Sequence, residues 1–273
     1  MGYNPNSVRG DDKVRWIFGQ PIYEADVMYR TTVWRLVNLK EKQNQPFYSS
    51  NNNIISCILK GVREGSLTPY DYNFDAVTTG TVSTIDTAKF INDVFVRDDP
   101  NYGKVPLNEN DIFILQIRED LIFDRRRSRM YWDIQSVTMF FYNDQGQLDP
   151  MGTFKYKDLY KFLKDLYDKS QYEDRYDQNG LLIAQGGTYE AVQAKWVNPQ
   201  NPRRHMSMAD AFELRMFSSR IRKISNPEDK AIKEIVLEEY QGATSEEQLR
   251  QQLLLSQKIE YDLMEYEHNL WEF

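Results

Sequence analysis

The sequence predicts an α+β fold: an antiparallel sheet built on one long central hairpin, flanked by helices, with a C-terminal helical region. Two long runs rich in β-branched and aromatic residues, 111–123 and 130–142, are joined by the short polar turn Asp124-Arg125-Arg126-Arg127-Ser128. That pattern is the signature of two paired strands. Helix-patterned segments precede the hairpin, and the chain after Pro202 carries three successive helix starts. With 273 residues and 41% hydrophobic content, the chain can bury roughly three quarters of its extended surface without a metal or disulfide.

Residues 1 to about 20 are polar and Asn/Gly-rich, with Trp16, Ile17 and Phe18 as a short apolar patch, and read as an arm with one docking point. From 26 to 42, Val27, Val33, Trp34, Leu36 and Val37 follow helical spacing and Pro46 closes the segment, so a helix is expected. Asn51 to Asn53 cap a second helix, 54–64, closed by Gly65. An extended Tyr/Phe-rich stretch runs from Leu67 to Asp75, followed by a short helix or strand near 90–96. The hairpin stops at Asn143-Asp144-Gln145-Gly146.

Leu159, Phe162, Leu163 and Leu166 give a helix over 156–169, a charged linker runs to Gly180, and 191–197 is expected as a third strand of the sheet. Beyond Pro202, Ser207 with Asp210 opens a helix carrying Phe212, Met216 and Ile221. Asn226-Pro227 caps the next, which Gly242 ends, and Thr244 with Glu247 opens the last. Its stripe of Leu249, Leu253, Ser256, Ile259, Leu263, Tyr266 and Leu270 forms a heptad-like seam that packs internally. The domain reading is an arm (1–20), an α+β domain (21–202) and a helical region packed on it (203–273).

A net charge of −7 argues against nucleic acid or anionic lipid as the main partner, since both select a basic face, and leaves room for local basic patches. No stretch approaches 18 consecutive apolar residues, so no membrane span is expected. The start, Met1 to Asn6, has neither the charged nor the apolar region of a signal peptide, which suits a cytosolic chain or an exported one already trimmed. Cys57 is the single cysteine, which excludes internal disulfides. It reads as a packed core thiol among Ile54, Ile58 and Leu59, the alternative being an intermolecular disulfide.

Catalytic signatures are missing. His205 and His268 have no metal-ligand partner at i+4, so no metal site is expected. The loop Asp174, Asp177, Asn179, Gly180 hints at a calcium loop, but alignment on Gly180 puts Arg175 first and Gly186 where a bidentate Glu belongs. Glu119 and Asp120 are adjacent on a strand and point to opposite faces, so they do not share a substrate. The basic turn Arg125, Arg126, Arg127, Arg129 reads as a solvated hairpin tip balanced by Glu119, Asp120 and Asp124. With no phosphate-binding or nucleophile motif either, the chain is expected to be no enzyme and to need no cofactor.

Three runs stand out in combination: Ala25-Asp26-Val27-Met28 with Trp34-Arg35 and Leu39-Lys40-Glu41-Lys42; Arg118-Glu119-Asp120-Leu121-Ile122-Phe123-Asp124 with Arg127-Ser128; and Phe212 to Ser219 with the terminal Glu267-His268-Asn269-Leu270-Trp271-Glu272-Phe273. In this order and spacing they resemble the GldN (PorN) family of gliding-motility and type IX secretion proteins of the Bacteroidetes, over about residues 20–273. The resemblance implies a non-enzymatic periplasmic ring subunit that binds the outer-membrane lipoprotein GldK (PorK) and neighbouring copies of itself. It also implies communication with the inner-membrane motor proteins GldL and GldM. The chain departs from the family in lacking a signal peptide and in the 150–190 segment, where Phe154 to Tyr167 is helix-patterned. Aromatics beside the chain ends, Trp16, Phe18, Trp271 and Phe273, are the expected partner contacts. The runner-up reading is a soluble peptide- or glycan-binding module using Tyr70, Tyr72 and Phe74.

Overall fold

A computed structural model of the chain describes residues 2–3, 22–49, 52–72, 83–99, 103–143, 146–176, 180–201 and 204–269. The N-terminal patch at Trp16 and Phe18 lies outside them, as do Phe74 and the terminal Leu270, Trp271 and Phe273. The main sheet has five strands: β1 (Val27–Asn38), β2 (Ile114–Asp124), β3 (Arg129–Tyr142), β4 (Leu148–Lys155) and β5 (Arg220–Ile224). Their order is β4-β3-β2-β1-β5, with β4 antiparallel to β3 and β5 antiparallel to β1. Five longer helices accompany it: α1 (Ile54–Arg63), α2 (Tyr156–Ser170), α3 (Met208–Glu213), α4 (Ile232–Glu239) and α5 (Ser245–Asn269). The fold is α+β, and the central hairpin is β2 and β3.

The segment 26–42 corrects the sequence reading: it is strand β1, not a helix. Thr31, Val33, Arg35, Val37 and Leu39 are buried in strict alternation with half-buried neighbours. That is the period of two of a strand. Arg35 hides it, because a charged residue in the buried row leaves Val33, Trp34 and Val37 as the visible apolar set, and those three fit a helix. Its guanidinium is buried because Nε donates to the Glu119 carboxylate at 2.5 Å. Strand β4 was unforeseen, since Pro150 and Gly152 both disfavour strands. The structure tolerates them at an edge, through a register shift between those residues.

The described residues divide into two compact units, one formed by 1–36, 117–135 and 219–273 and the other by 37–116 and 136–218. In the first, Val33, Leu121, Ile221, Ile232, Val236 and Leu263 form the core. Ile221 lies in strand β5 rather than in the helix expected after Ser207. That helix ends at Glu213, and Arg215 adopts a positive φ of 54°. Helix α4 starts at Ile232, five residues after Pro227. Asn226 closes the intervening loop instead, its Nδ2 donating to the Ile224 and Lys230 carbonyls while its Oδ1 accepts from the Lys230 N–H.

Helix α5 opens where expected, with the Thr244 hydroxyl accepting from the Glu247 N–H. Its seam is only partly as expected. Ser256 and Leu263 are buried and Leu255 and Ile259 pack against the core, but Leu249 and Leu253 are exposed. The inward row of the N-terminal half is Gln248, Gln252 and Leu255. Gln248 points in to donate to the carbonyls of Tyr240 and Ala243.

In the second unit α1 forms as the sequence indicates. Asn53 Oδ1 accepts from the Ile55 N–H at 2.9 Å, and Gly65 past the helix end adopts a φ of 71°. Ile54, Ile55, Ile58, Leu59 and Val62 are buried, and α2 buries Tyr156, Leu159, Tyr160 and Leu163. Phe47 packs on Phe212 at 4.8 Å and on Trp196 at 6.5 Å. Near 90–96 the chain forms a helical turn, Thr87–Lys89, a wider π-turn, Phe90–Val94, and a short strand, Val96–Asp99. The strand expected over 191–197 shrinks to Lys195–Val197 and pairs with His205–Ser207 in a separate two-stranded sheet, so it does not extend the main one.

Candidate functional site

The residues expected to touch partners, Trp16, Phe18, Trp271 and Phe273, lie outside the described residues, so the surfaces below were not among the sequence-derived candidates. In the first unit the sheet faces are joined by charge. Arg35, buried at 4% exposure, donates from Nε to Glu119 and from Nη1 to Glu260 of α5 at 2.8 Å, and its guanidinium lies 4.8 Å from the Trp132 ring centre. On the opposite strand face Asp120 accepts from Arg30 at 2.6 Å and from the Thr32 hydroxyl at 2.8 Å. Glu119 and Asp120 therefore occupy opposite faces and each holds its own arginine.

This alters the reading of the basic turn. Asp124 pairs with Arg127 at 2.6 Å and accepts from the Arg126 N–H, but Glu119 and Asp120 are engaged elsewhere. Arg125, Arg126 and Arg129 stand exposed at the tip.

Helix α5 is apolar on two sides. Leu255, Ile259 and Leu263 face the core, while Leu249, Leu253, Leu254, Tyr261 and Met264 are exposed. The second row leaves an apolar strip exposed on the outer side of the helix.

In the second unit the charged linker after α2 folds into a ribbon of Arg175–Tyr176 paired with Leu182–Ala184. Its base is fixed: Asp174 Oδ1 accepts from the Gly186 N–H at 2.7 Å, and the Gly187 N–H donates to the Gln171 carbonyl. Gly186 is required there, because a Cβ would sit 2.4 Å from the Tyr172 carbonyl oxygen. The ribbon exposes Tyr172 (83%), Tyr176 (57%), Leu182 (54%) and Ile183 (54%). A run such as Leu181-Leu182-Ile183 has the composition of a core segment, yet all three side chains are exposed. Beside the ribbon an open groove of about 530 Å³ is lined by Lys60, Asp158, Lys161, Phe162, Asp165 and Lys169, with charges of both signs alternating along it.

The remaining candidates take structural positions. His205 Nδ1 lies 3.0 Å from the Tyr167 hydroxyl and its ring packs on Tyr167 and Tyr189. Burial, then the Lys195 cation, holds its pKa below the usual histidine value. His268 is exposed near the end of α5. Cys57 is buried, which pushes its thiol up to about 11. Among the described residues no three His, Cys, Asp or Glu side chains are grouped to hold a metal, and no helix is long and apolar enough to cross a membrane. Tyr70 is pinned to Thr153 by two backbone hydrogen bonds and is 8% exposed, which takes it out of any recognition platform. Tyr72 packs edge-on against Phe140.

Compared with known proteins, the chain matches the family model described as gliding motility associated protein GldN over residues 22–272. No curated protein matches it significantly.

Proposed function

This chain belongs to the GldN family of gliding motility associated proteins, and from that membership we propose that it is a structural subunit of a periplasmic ring in the type IX secretion and gliding machinery. In this reading it binds the GldK (PorK) lipoprotein at the outer membrane and neighbouring copies of itself, and passes force or signal from the GldL and GldM motor proteins. The observation that carries the proposal is the extent of the family match, residues 22–272, nearly the whole chain. The exposed apolar surfaces of α5 and the ribbon support it, because surfaces of that kind mark protein contacts. The subunit contributes interfaces rather than an active site.

The test is purification of the tagged full chain from its native cells, followed by mass spectrometry and electron microscopy. Co-purification with the lipoprotein in a large closed particle is the expected result. A monomeric chain with no lipoprotein at its native abundance would refute the proposal.

A further inference from the structure

We propose that the exposed face of α5 in one copy docks on the ribbon of Arg175–Tyr176 and Leu182–Ala184 in the next copy, a head-to-tail contact between two different patches. The inference rests on the ring-subunit reading and names the contact that builds the ring. A closed ring of identical subunits needs a heterologous interface, two unlike surfaces on every subunit. The described residues supply two such surfaces, one on each compact unit.

The first is the outer side of α5 over residues 248–259. This stretch contains no acidic residue, carries Arg250 and Lys258, and exposes Leu249, Leu253 and Leu254. Neither cation has an ion-pair partner among the described residues.

The second surface has the opposite charge. The ribbon presents Tyr172, Tyr176, Leu182 and Ile183, bordered by the exposed carboxylates of Asp168 and Glu173, which have no cationic partner among the described residues. It is held ready for contact by the Asp174 hydrogen bond to Gly186 and by the close approach of Gly186 to the Tyr172 carbonyl. A preformed aromatic and aliphatic platform loses little freedom on binding. Leucines of the helix would fill the space between the two tyrosines, with Arg250 and Lys258 placed over the acidic border. Arginine and tyrosine are the residue types that dominate such contacts.

The experiment uses the full chain in its native complex. Ile183→Cys and Leu254→Cys are introduced singly and together, and a short bis-maleimide is added before denaturing electrophoresis. Cys57, at 6% exposure, stays out of the reaction. The double variant is expected to give a ladder of multiples of the chain, and each single variant none. Arg250→Glu with Lys258→Glu is expected to lower the cross-linked yield about tenfold, since like charges then face each other. Adding Asp168→Lys and Glu173→Lys to the same chain should restore it.

Large particles that form normally with no ladder, and with the Arg250/Lys258 variant unaffected, would overturn this contact while leaving the ring reading intact. A dimer band from Ile183→Cys alone would also overturn it, because it would mean a symmetric ribbon-to-ribbon contact. Absence of any large particle would remove the ring reading and this contact with it.

Discussion

Replacing Arg35 by leucine is expected to destabilise the first compact unit as much as a large deletion in its apolar core. Glu119 is fully buried, and the Arg35 Nε–H donates to it at 2.5 Å. Without the guanidinium, the buried carboxylate loses its 2.5 Å charge partner, and removing one member of a buried pair costs about 3–5 kcal/mol. Against a typical total stability of about 5–15 kcal/mol, that is a large fraction. The same substitution frees Glu260, so α5 loses its polar tie to β1.

The double variant Arg35→Leu/Glu119→Leu should be markedly more stable than Arg35→Leu, because a buried pair replaced by apolar groups is often neutral or even stabilising. Glu119→Leu alone should fall between them, since Arg35 retains Glu260 and the Trp132 face. Urea unfolding followed by tryptophan fluorescence gives the three free energies. Equal losses for Arg35→Leu and the double variant, or a loss below about 1 kcal/mol for Arg35→Leu, would refute the claim that a desolvated charge governs this site.

Three further outcomes follow from the second unit. Gly152→Ala places a Cβ 2.6 Å from the fully buried Phe90 ring, so overpacking should cost about 1–3 kcal/mol, read as a lowered melting temperature; an unchanged melting temperature would mean that Phe90 moves freely. His205, with its pKa held down in the folded chain, binds its proton more readily when unfolded, so its contribution is intact above about pH 6.5 and is lost as pH falls below that value. His205→Gln should flatten that part of the stability profile between pH 7.5 and pH 5.5, and identical slopes for both proteins would sink the assignment. Cys57 should resist a soluble thiol reagent in the native chain and react once urea unfolds it; rapid labelling under native conditions would contradict its burial.

The elements that sequence reasoning found are those whose buried rows are apolar or whose ends carry their own signals. Helix α1 was legible through Asn53 and Gly65, α2 through its leucines, and the β2–β3 hairpin through its β-branched runs. The missed elements place charged residues or strand breakers where the pattern expects apolar ones: Arg35 in β1, Pro150 and Gly152 in β4, and Arg220, Arg222 and Lys223 in β5. The exposed surfaces were hidden for the converse reason. Leu182 and Ile183, or Leu253 and Leu254, look like core residues until the structure leaves them outside.

These two failures share one physical root: hydropathy does not say which polar groups have partners. In β1 the partner exists within the chain, and it also fixes the register. A slip of one residue would carry Arg35 to the opposite face, away from Glu119, while moving Arg30 and Thr32 away from Asp120. Apolar alternation would tolerate such a slip less badly here, because β2 is buried on both faces from Leu121 to Asp124 and either face accepts a hydrophobic neighbour. The paired charges on opposite faces of Glu119-Asp120 therefore exclude alternatives that burial alone admits, and they do so on both sides of the sheet at once. Helix α5, tied through Glu260 to the same arginine, inherits that register. The placement of its outward face is thus decided by a buried ion pair on the strand beneath it.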